Sequence, residues 1–215
     1  MAYNYILFDL DGTLTDPKEG ITKAVAYALR HYGIEPPPLD ELCPFIGPPL
    51  ADSFVEFYDF TPEKGREAVS VYREYFEPVG KFENLVYDGI EDMLRALKAC
   101  GRKLIVATSK PEKFAVQILE HFGLAQYFDI IRGSLLNGQR EKKSDVIQSI
   151  LDEVGRGDII MVGDRRFDVE GAHACGIGCI GVLYGYGSRE ELEAAGADFI
   201  AEDVTQLTKL LTEQV

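Results

Sequence analysis

Short apolar runs recur along this chain, each followed by a stretch with helical spacing. The runs are Tyr5 to Phe8, Leu104 to Ala107, Phe128 to Ile131, Ile159 to Val162, Ile177 to Leu183 and Phe199-Ile200. Each is too short for a core helix and rich in β-branched or aromatic residues, so each reads as a strand buried on both faces. Between them, apolar residues share one helical face: Ile90, Leu94 and Leu97; Phe114, Ile118 and Phe122; Val146, Ile147, Ile150 and Val154; Val169 and Ala172; then Leu207 to Leu211. Alternating strands and helices predict an α/β fold, a doubly wound and mostly parallel sheet with helices on both faces. From residue 17 to 80 the pattern is helical only. Ile21, Val25, Ala28, Leu29 and Tyr32 form one stripe, a helix runs from Leu50 to Phe57, and Val69, Tyr72 and Phe76 mark another after Thr61-Pro62. Residues 17–80 are therefore expected to be a helical domain inserted into a core made of residues 1–16 and 81–215. Three capping boxes are expected, at Asp16 with Glu19, Asp88 with Glu91, and Ser188 with Glu191.

Composition narrows the function. The formal net charge of −14 disfavours nucleic acid, whose non-specific binding needs basic surface, and requires local positive charge or a metal for any anionic substrate. Cys43, Cys100, Cys175 and Cys179 form no C-x-x-C pair and read as small buried thiols in a reducing compartment. No charged n-region followed by an apolar h-region opens the sequence, so a secretory leader is not expected, and no apolar run approaches the length of a membrane span. The expected location is cytoplasmic.

The strand ends carry the chemistry. Ligands of an open parallel sheet bind beyond the carboxyl ends of its strands. The first strand ends in Asp9 and Asp11, with Gly12 marking the turn; the second in Thr108 and Ser109; the fourth in Asp164, with Asp168 four residues on. Lys142 and Lys143 open the helix before that fourth strand. Two acids at the tip of a buried strand are costly unless paired. Brought into one cleft, these carboxylates, a hydroxyl and an ammonium suit Mg²⁺ and a phosphoryl group.

The chain resembles the haloacid dehalogenase superfamily of phosphohydrolases. The resemblance rests on Asp9-Leu10-Asp11-Gly12-Thr13, the apolar run into Thr108, the basic residue before Ser144-Asp145-Val146-Ile147, and Gly163-Asp164-Arg165-Arg166-Phe167-Asp168, in that order. It spans essentially the whole chain and implies a Rossmann-like core with a helical cap at residues 17–80. It implies Asp9 as the nucleophile that forms an aspartyl-phosphate. Asp11 is implied as the acid that protonates the leaving alcohol and the base that activates water, its backbone carbonyl also touching the metal. Thr108 and a lysine are implied to hold the phosphoryl oxygens, with Gly12 and Ser109 beside them. Asp164 is implied as a direct Mg²⁺ ligand, with Asp168 acting through water or a hydrogen bond. Lys143 is preferred to Lys142 by register with the following helix. Asp11 argues against dehalogenation, and Thr13 fits the phosphatase pattern better than that of the sugar-phosphate mutases.

Within the superfamily the chain looks most like the phosphoglycolate phosphatase group, which includes members described as 5′-nucleotidases. That likeness lies in Gly47-Pro48-Pro49-Leu50 and in Gly181 to Ser188. The expected activity is a Mg²⁺-dependent phosphomonoesterase, phosphoglycolate phosphatase-like, with a 5′-nucleotidase and then a phosphosugar mutase as alternatives. The expected partner is a small phosphorylated metabolite, with no nucleic acid or membrane, the chain being a monomer or weak dimer. Residues 17–80 hold six basic and eleven acidic side chains, a formal −5, which tilts the cap towards a neutral or aromatic leaving group. Phe45 and Gly47 are the expected points of contact with that group. A catalytically silent binding module is the rival class; the intact acids speak against it. His31, His121 and His173 are too scattered for a metal site, and Arg165, Arg166 and the aromatic residues of 17–80 read as surface and core.

Overall fold

The structure, a computed structural model, describes residues 3–212. It divides into two compact units, one of Met1–Asp16 with Val86–Val215, the other Pro17–Leu85. The first unit holds a six-stranded sheet of β1 (Tyr5–Phe8), β2 (Lys103–Pro111), β3 (Ile130–Ser134), β4 (Ile159–Gly163), β5 (Gly178–Val182) and β6 (Phe199–Ala201). Every pairing is parallel and the order is β3-β2-β1-β4-β5-β6. The strand order reverses between β1 and β4, which lie side by side with Phe8 opposite Val162. That switch point is where such sheets bind ligands.

Alternate residues of each strand enter different cores. Ile6 and Phe8, Leu104 and Val106, and Ile160 and Val162 pack on one face, against α4 (Ile90–Ala99), α5 (Glu112–His121) and α9 (Val204–Thr212). Leu7, Ile105, Ala107 and Met161 pack on the other, against α6 (Lys143–Val154) and α7 (Arg166–Ala174), with Leu192 of α8 (Arg189–Ala195). The period of two along a strand with two apolar faces is the physical reason the sheet is covered on both sides.

The helical unit contains α1 (Lys18–His31), α2 (Leu50–Tyr58) and α3 (Pro62–Phe76). It extends past residue 80, where the sequence placed its end. Glu83 belongs to it, since its carbonyl accepts from Gly20 N at 2.9 Å and its carboxylate meets Lys23 Nζ and Tyr75 Oη. Thr61 caps α3, accepting from Lys64 N, and Pro62 takes the first helical position.

Two expected caps are not formed. Asp16 lies before Pro17 and its carboxylate accepts from the Tyr186 hydroxyl, so α1 starts without a side-chain cap. At α4 the cap position is Gly89, at φ 83°, one residue beyond Asp88, and it lacks a side chain to accept the bond. Ser188 does cap α8, accepting from Glu191 N at 3.1 Å. Cys175 and Cys179 are buried as expected, whereas Cys100 is exposed on the turn after α4. No helix among the described residues is long and apolar enough to cross a membrane.

Candidate active site

Three carboxylates meet at the switch point. Asp9 follows β1, Asp164 follows β4, and Asp168 lies in the first turn of α7. Each offers one oxygen, and these oxygens lie within 4.8 Å of one another. All three residues are buried, Asp164 and Asp168 almost completely.

Lys143, at the start of α6, reaches into this cluster. Its Nζ lies 2.9 Å from Asp9 Oδ1 and 2.7 Å from Asp168 Oδ1, and donates to the Ala107 carbonyl at 3.0 Å. Lys142, one residue earlier, is exposed. Helix register explains the difference: the first helical residue faces the sheet edge and the residue before it does not. Gly171 of α7 makes room for the Lys143 stem, since a Cβ there would meet Lys143 Cγ at 2.8 Å.

Backbone donors and close contacts hold the acids. Leu10 N donates to Asp9 Oδ1 at 2.7 Å, and Arg165 N donates to Asp168 Oδ2 at 3.1 Å. Tyr186 N donates to Asp164 Oδ2 at 2.8 Å, and Thr13 Oγ1 donates to Asp164 Oδ1 at 3.4 Å. The loop after β5 crosses directly over Asp164. A Cβ at Gly187 would stand 1.9 Å from the Asp164 carbonyl oxygen, so only a residue without a side chain passes there. The Tyr184 hydroxyl ties the same loop to the Thr13 carbonyl at 3.0 Å. Gly12 has φ 81°, and a Cβ on it would lie 2.2 Å from Asp164 Oδ2. Its N–H donates to the Thr15 carbonyl at 2.8 Å, so Gly12 shapes the site through its close approach to Asp164.

Asp11 stands apart from the three acids. Its Oδ2 lies 2.6 Å from Lys110 Nζ, while its Oδ1 is buried without a hydrogen-bond partner among the described residues. Lys110 escaped the sequence reading, although the signal was present. It lies two residues past Thr108 on one strand, and a period of two returns a side chain to the same face. Thr108 is buried on the same strand, and its Oγ1 accepts from Lys110 N at 3.2 Å. Ser109 sits between them. Its carbonyl accepts from the Ser134 hydroxyl of β3, and no hydrogen bond joins its own hydroxyl to the acids.

Phe45 is placed otherwise than expected. Only 2% exposed, it packs against Phe54, Phe57 and Tyr58 of the helical unit at centroid distances of 5.1 to 6.1 Å. Its ring is core of that unit, because the short helical turn Leu39–Phe45 turns it onto α2. Phe57 is the exposed member of this group. Gly47 has φ 106° in the turn that follows. Arg165 pairs with Glu191, and Arg166 is exposed.

The electrostatics ask for a cation. Burial pushes Asp164 well above the usual carboxylate range, and the charges of Asp168 and Asp9 push it further. Burial raises Asp168 to about 6 even though Lys143 opposes the shift. Burial raises Asp11 as well, with Lys110 opposing. Burial alone would lower Lys143, but Asp168 and Asp9 outweigh it and hold the ammonium charged. One ammonium against three buried carboxylates leaves negative charge uncompensated. The donors are all hard oxygens, so the set fits a divalent cation of the magnesium type.

Comparison with known proteins agrees with this geometry. Residues 6–182 match the haloacid dehalogenase-like hydrolase family. A 5′-nucleotidase of Pseudomonas aeruginosa is 46% identical over 98% of this chain and 96% of its own length. The tyrosine-protein kinase PtkA of Mycobacterium tuberculosis is 36% identical over 93% of this chain and 69% of its own. A phosphoglycolate phosphatase of Vibrio vulnificus is 27% identical over 94% and 93%. Among solved structures, a predicted phosphatase from Clostridium acetobutylicum superposes with a TM-score of 0.96 at 51% identity, covering 100% of both chains. This chain belongs to the haloacid dehalogenase-like hydrolase family, and it is a phosphohydrolase.

Proposed function

We propose that this enzyme is a Mg²⁺-dependent phosphomonoesterase acting on a small metabolite, with a nucleoside 5′-monophosphate as the substrate class. The observation that carries the chemistry is the meeting of Asp9, Asp164, Asp168 and Lys143 at the sheet's switch point. Asp9 attacks phosphorus; the bond from phosphorus to the leaving oxygen breaks, and that oxygen takes a proton from Asp11. Water then attacks the aspartyl-phosphate, giving its proton to Asp11 and releasing Asp9 as carboxylate. Lys143 and the Thr108 hydroxyl stabilise the phosphoryl oxygens as charge spreads over them. Asp9, Asp164, Asp168 and the Asp11 carbonyl would hold Mg²⁺, which when bound neutralises charge on the carboxylates and the phosphoryl group.

The family likeness read from sequence put phosphoglycolate first. The order is reversed here. The 46% identity to a 5′-nucleotidase exceeds the 27% to a phosphoglycolate phosphatase, and the acidic 17–80 segment already disfavoured a second anion on the leaving group. We place the enzyme in the cytoplasm, in keeping with its four free cysteines.

The test is a panel of phosphorylated metabolites scored by kcat/KM, with Mg²⁺ and with chelator. Nucleoside 5′-monophosphates should lead, and chelation should abolish turnover. A lead for phosphoglycolate would reverse the substrate assignment. Transfer of the phosphoryl group to a protein hydroxyl, with no free phosphate, would contradict the hydrolytic reading.

A further inference from the structure

Lys110 has no part in the chemistry assigned so far, yet its ammonium is placed with care. The side chain is 6% exposed and its Nζ lies 2.6 Å from Asp11 Oδ2. Burying an ammonium is costly, so the pairing has to offset a real penalty. The backbone that carries it is fixed from two sides. Lys110 N donates to Thr108 Oγ1, and β3 presses so close that a Cβ on Gly133 would stand 2.4 Å from the Lys110 carbonyl. The pairing of β2 with β3 shifts register between Ala107 and Pro111, around Lys110. Such irregularities re-aim a side chain at a strand end.

The two buried lysines divide the site. Lys143 touches Asp9 and Asp168, the attacking half. Lys110 touches Asp11, which serves the leaving group. The two oxygens of Asp11 are also unlike. Oδ2 is committed to Lys110, while Oδ1 is buried with no hydrogen-bond partner among the described residues. A buried, unpartnered carboxylate oxygen is expensive unless a substrate supplies the partner.

Resting on the phosphomonoesterase reading, we infer that Lys110 is a positioning residue that holds Asp11 by Oδ2, so that Oδ1 is the oxygen exchanging the proton with the leaving alcohol and then with water. In the first step the phosphorus–oxygen bond of the ester breaks, its electron pair stays on the leaving oxygen, and the proton passes to it from Asp11 Oδ1. In the second, water gives one of its own protons to the same oxygen as it attacks phosphorus, and the bond from phosphorus to Asp9 breaks. Lys110 touches neither reacting atom. It fixes the carboxyl plane, and misplacement of a reacting group is costly in rate.

The test separates this role from general support of the fold. The ratio kcat/KM reports transfer to Asp9 with departure of the alcohol, so it senses assistance to the leaving group. Full-length wild type, Lys110→Met and Lys110→Arg are compared, with Mg²⁺, on p-nitrophenyl phosphate and on an alkyl phosphate. A good leaving group needs little protonation; an alkoxide needs it strongly. Lys110→Met should lose at least about tenfold more kcat/KM on the alkyl ester than on the aryl one. Lys110→Arg, which keeps the cation, should recover most of that difference. An equal loss on both esters, a loss in KM alone, or no loss would overturn the inference. If Lys110→Met fails to fold, as judged by thermal melting, Lys110→Gln makes the same comparison. Asp9→Asn is run in parallel. Turnover retained there contradicts the covalent reading itself, whereas a dead Asp9→Asn with uniform Lys110 losses contradicts only the positioning role.

Discussion

At the scale of single residues, the site depends as much on what is missing as on what is present. Gly12 combines a φ of 81° with a Cβ position 2.2 Å from Asp164 Oδ2. Gly12→Ala is expected to cost about 1–3 kcal/mol in backbone strain and to push Asp164 out of place. Urea denaturation should show the loss, and the Mg²⁺ concentration for half-maximal activity should rise; a variant of unchanged stability and metal requirement would contradict the packing described here. The acids make a second prediction. Burial raises Asp168 to about 6 and also pushes Asp164 well above the usual carboxylate range. A folded-state value above the unfolded one contributes stability that is full below about pH 4 and fades as pH rises through about 6. The metal-free protein therefore loses this contribution towards neutrality. Mg²⁺ binds the deprotonated acids, so it should raise Tm more at neutral pH than at about pH 5. A Mg²⁺ shift independent of pH would place the cation elsewhere.

At the scale of elements, the helical unit illustrates a side chain read for the wrong task. Phe45 looked like a ring offered to a leaving group, because it precedes a rigid proline turn. In the structure it is core, packed on Phe54 and Phe57. Phe45→Ala should destabilise by about 3–5 kcal/mol, the usual cost of emptying a buried aromatic site. A lowered denaturation midpoint with little change in substrate preference is the expected result; unchanged stability with altered preference would restore the earlier role. The sheet strands and the α-helices of the described residues were legible because each depends on local periodicity. The strand tips bearing Asp9, Thr108 and Asp164 were legible for the same reason, as was Lys143 through helix register. Less visible was whatever depends on a distant partner. Asp16 looked like a cap but is held by Tyr186, which lies far along the chain. Lys110 was passed over because its carboxylate partner, Asp11, lies about a hundred residues away, beyond the end of β1. Exposure of the Phe45 ring depended on how the short turn Leu39–Phe45 folds back, which no periodicity encodes.

At the scale of the whole molecule, a net charge of −14 repels the phosphorylated substrates of a phosphohydrolase. The two buried lysines and the divalent cation that fits the acids must reverse that field locally. Lys143 and Lys110 are assigned to opposite halves of the reaction, and the proposed mechanism turns on a phosphoryl group resting on Asp9 between them. Rapid acid quench of the wild-type enzyme during turnover, followed by peptide mass spectrometry, tests that claim directly. The account predicts the mass of one phosphoryl group on the peptide that contains Asp9, released by hydroxylamine and absent from Asp9→Asn. A peptide that stays unmodified while phosphate is released in the same samples would contradict a covalent role for Asp9.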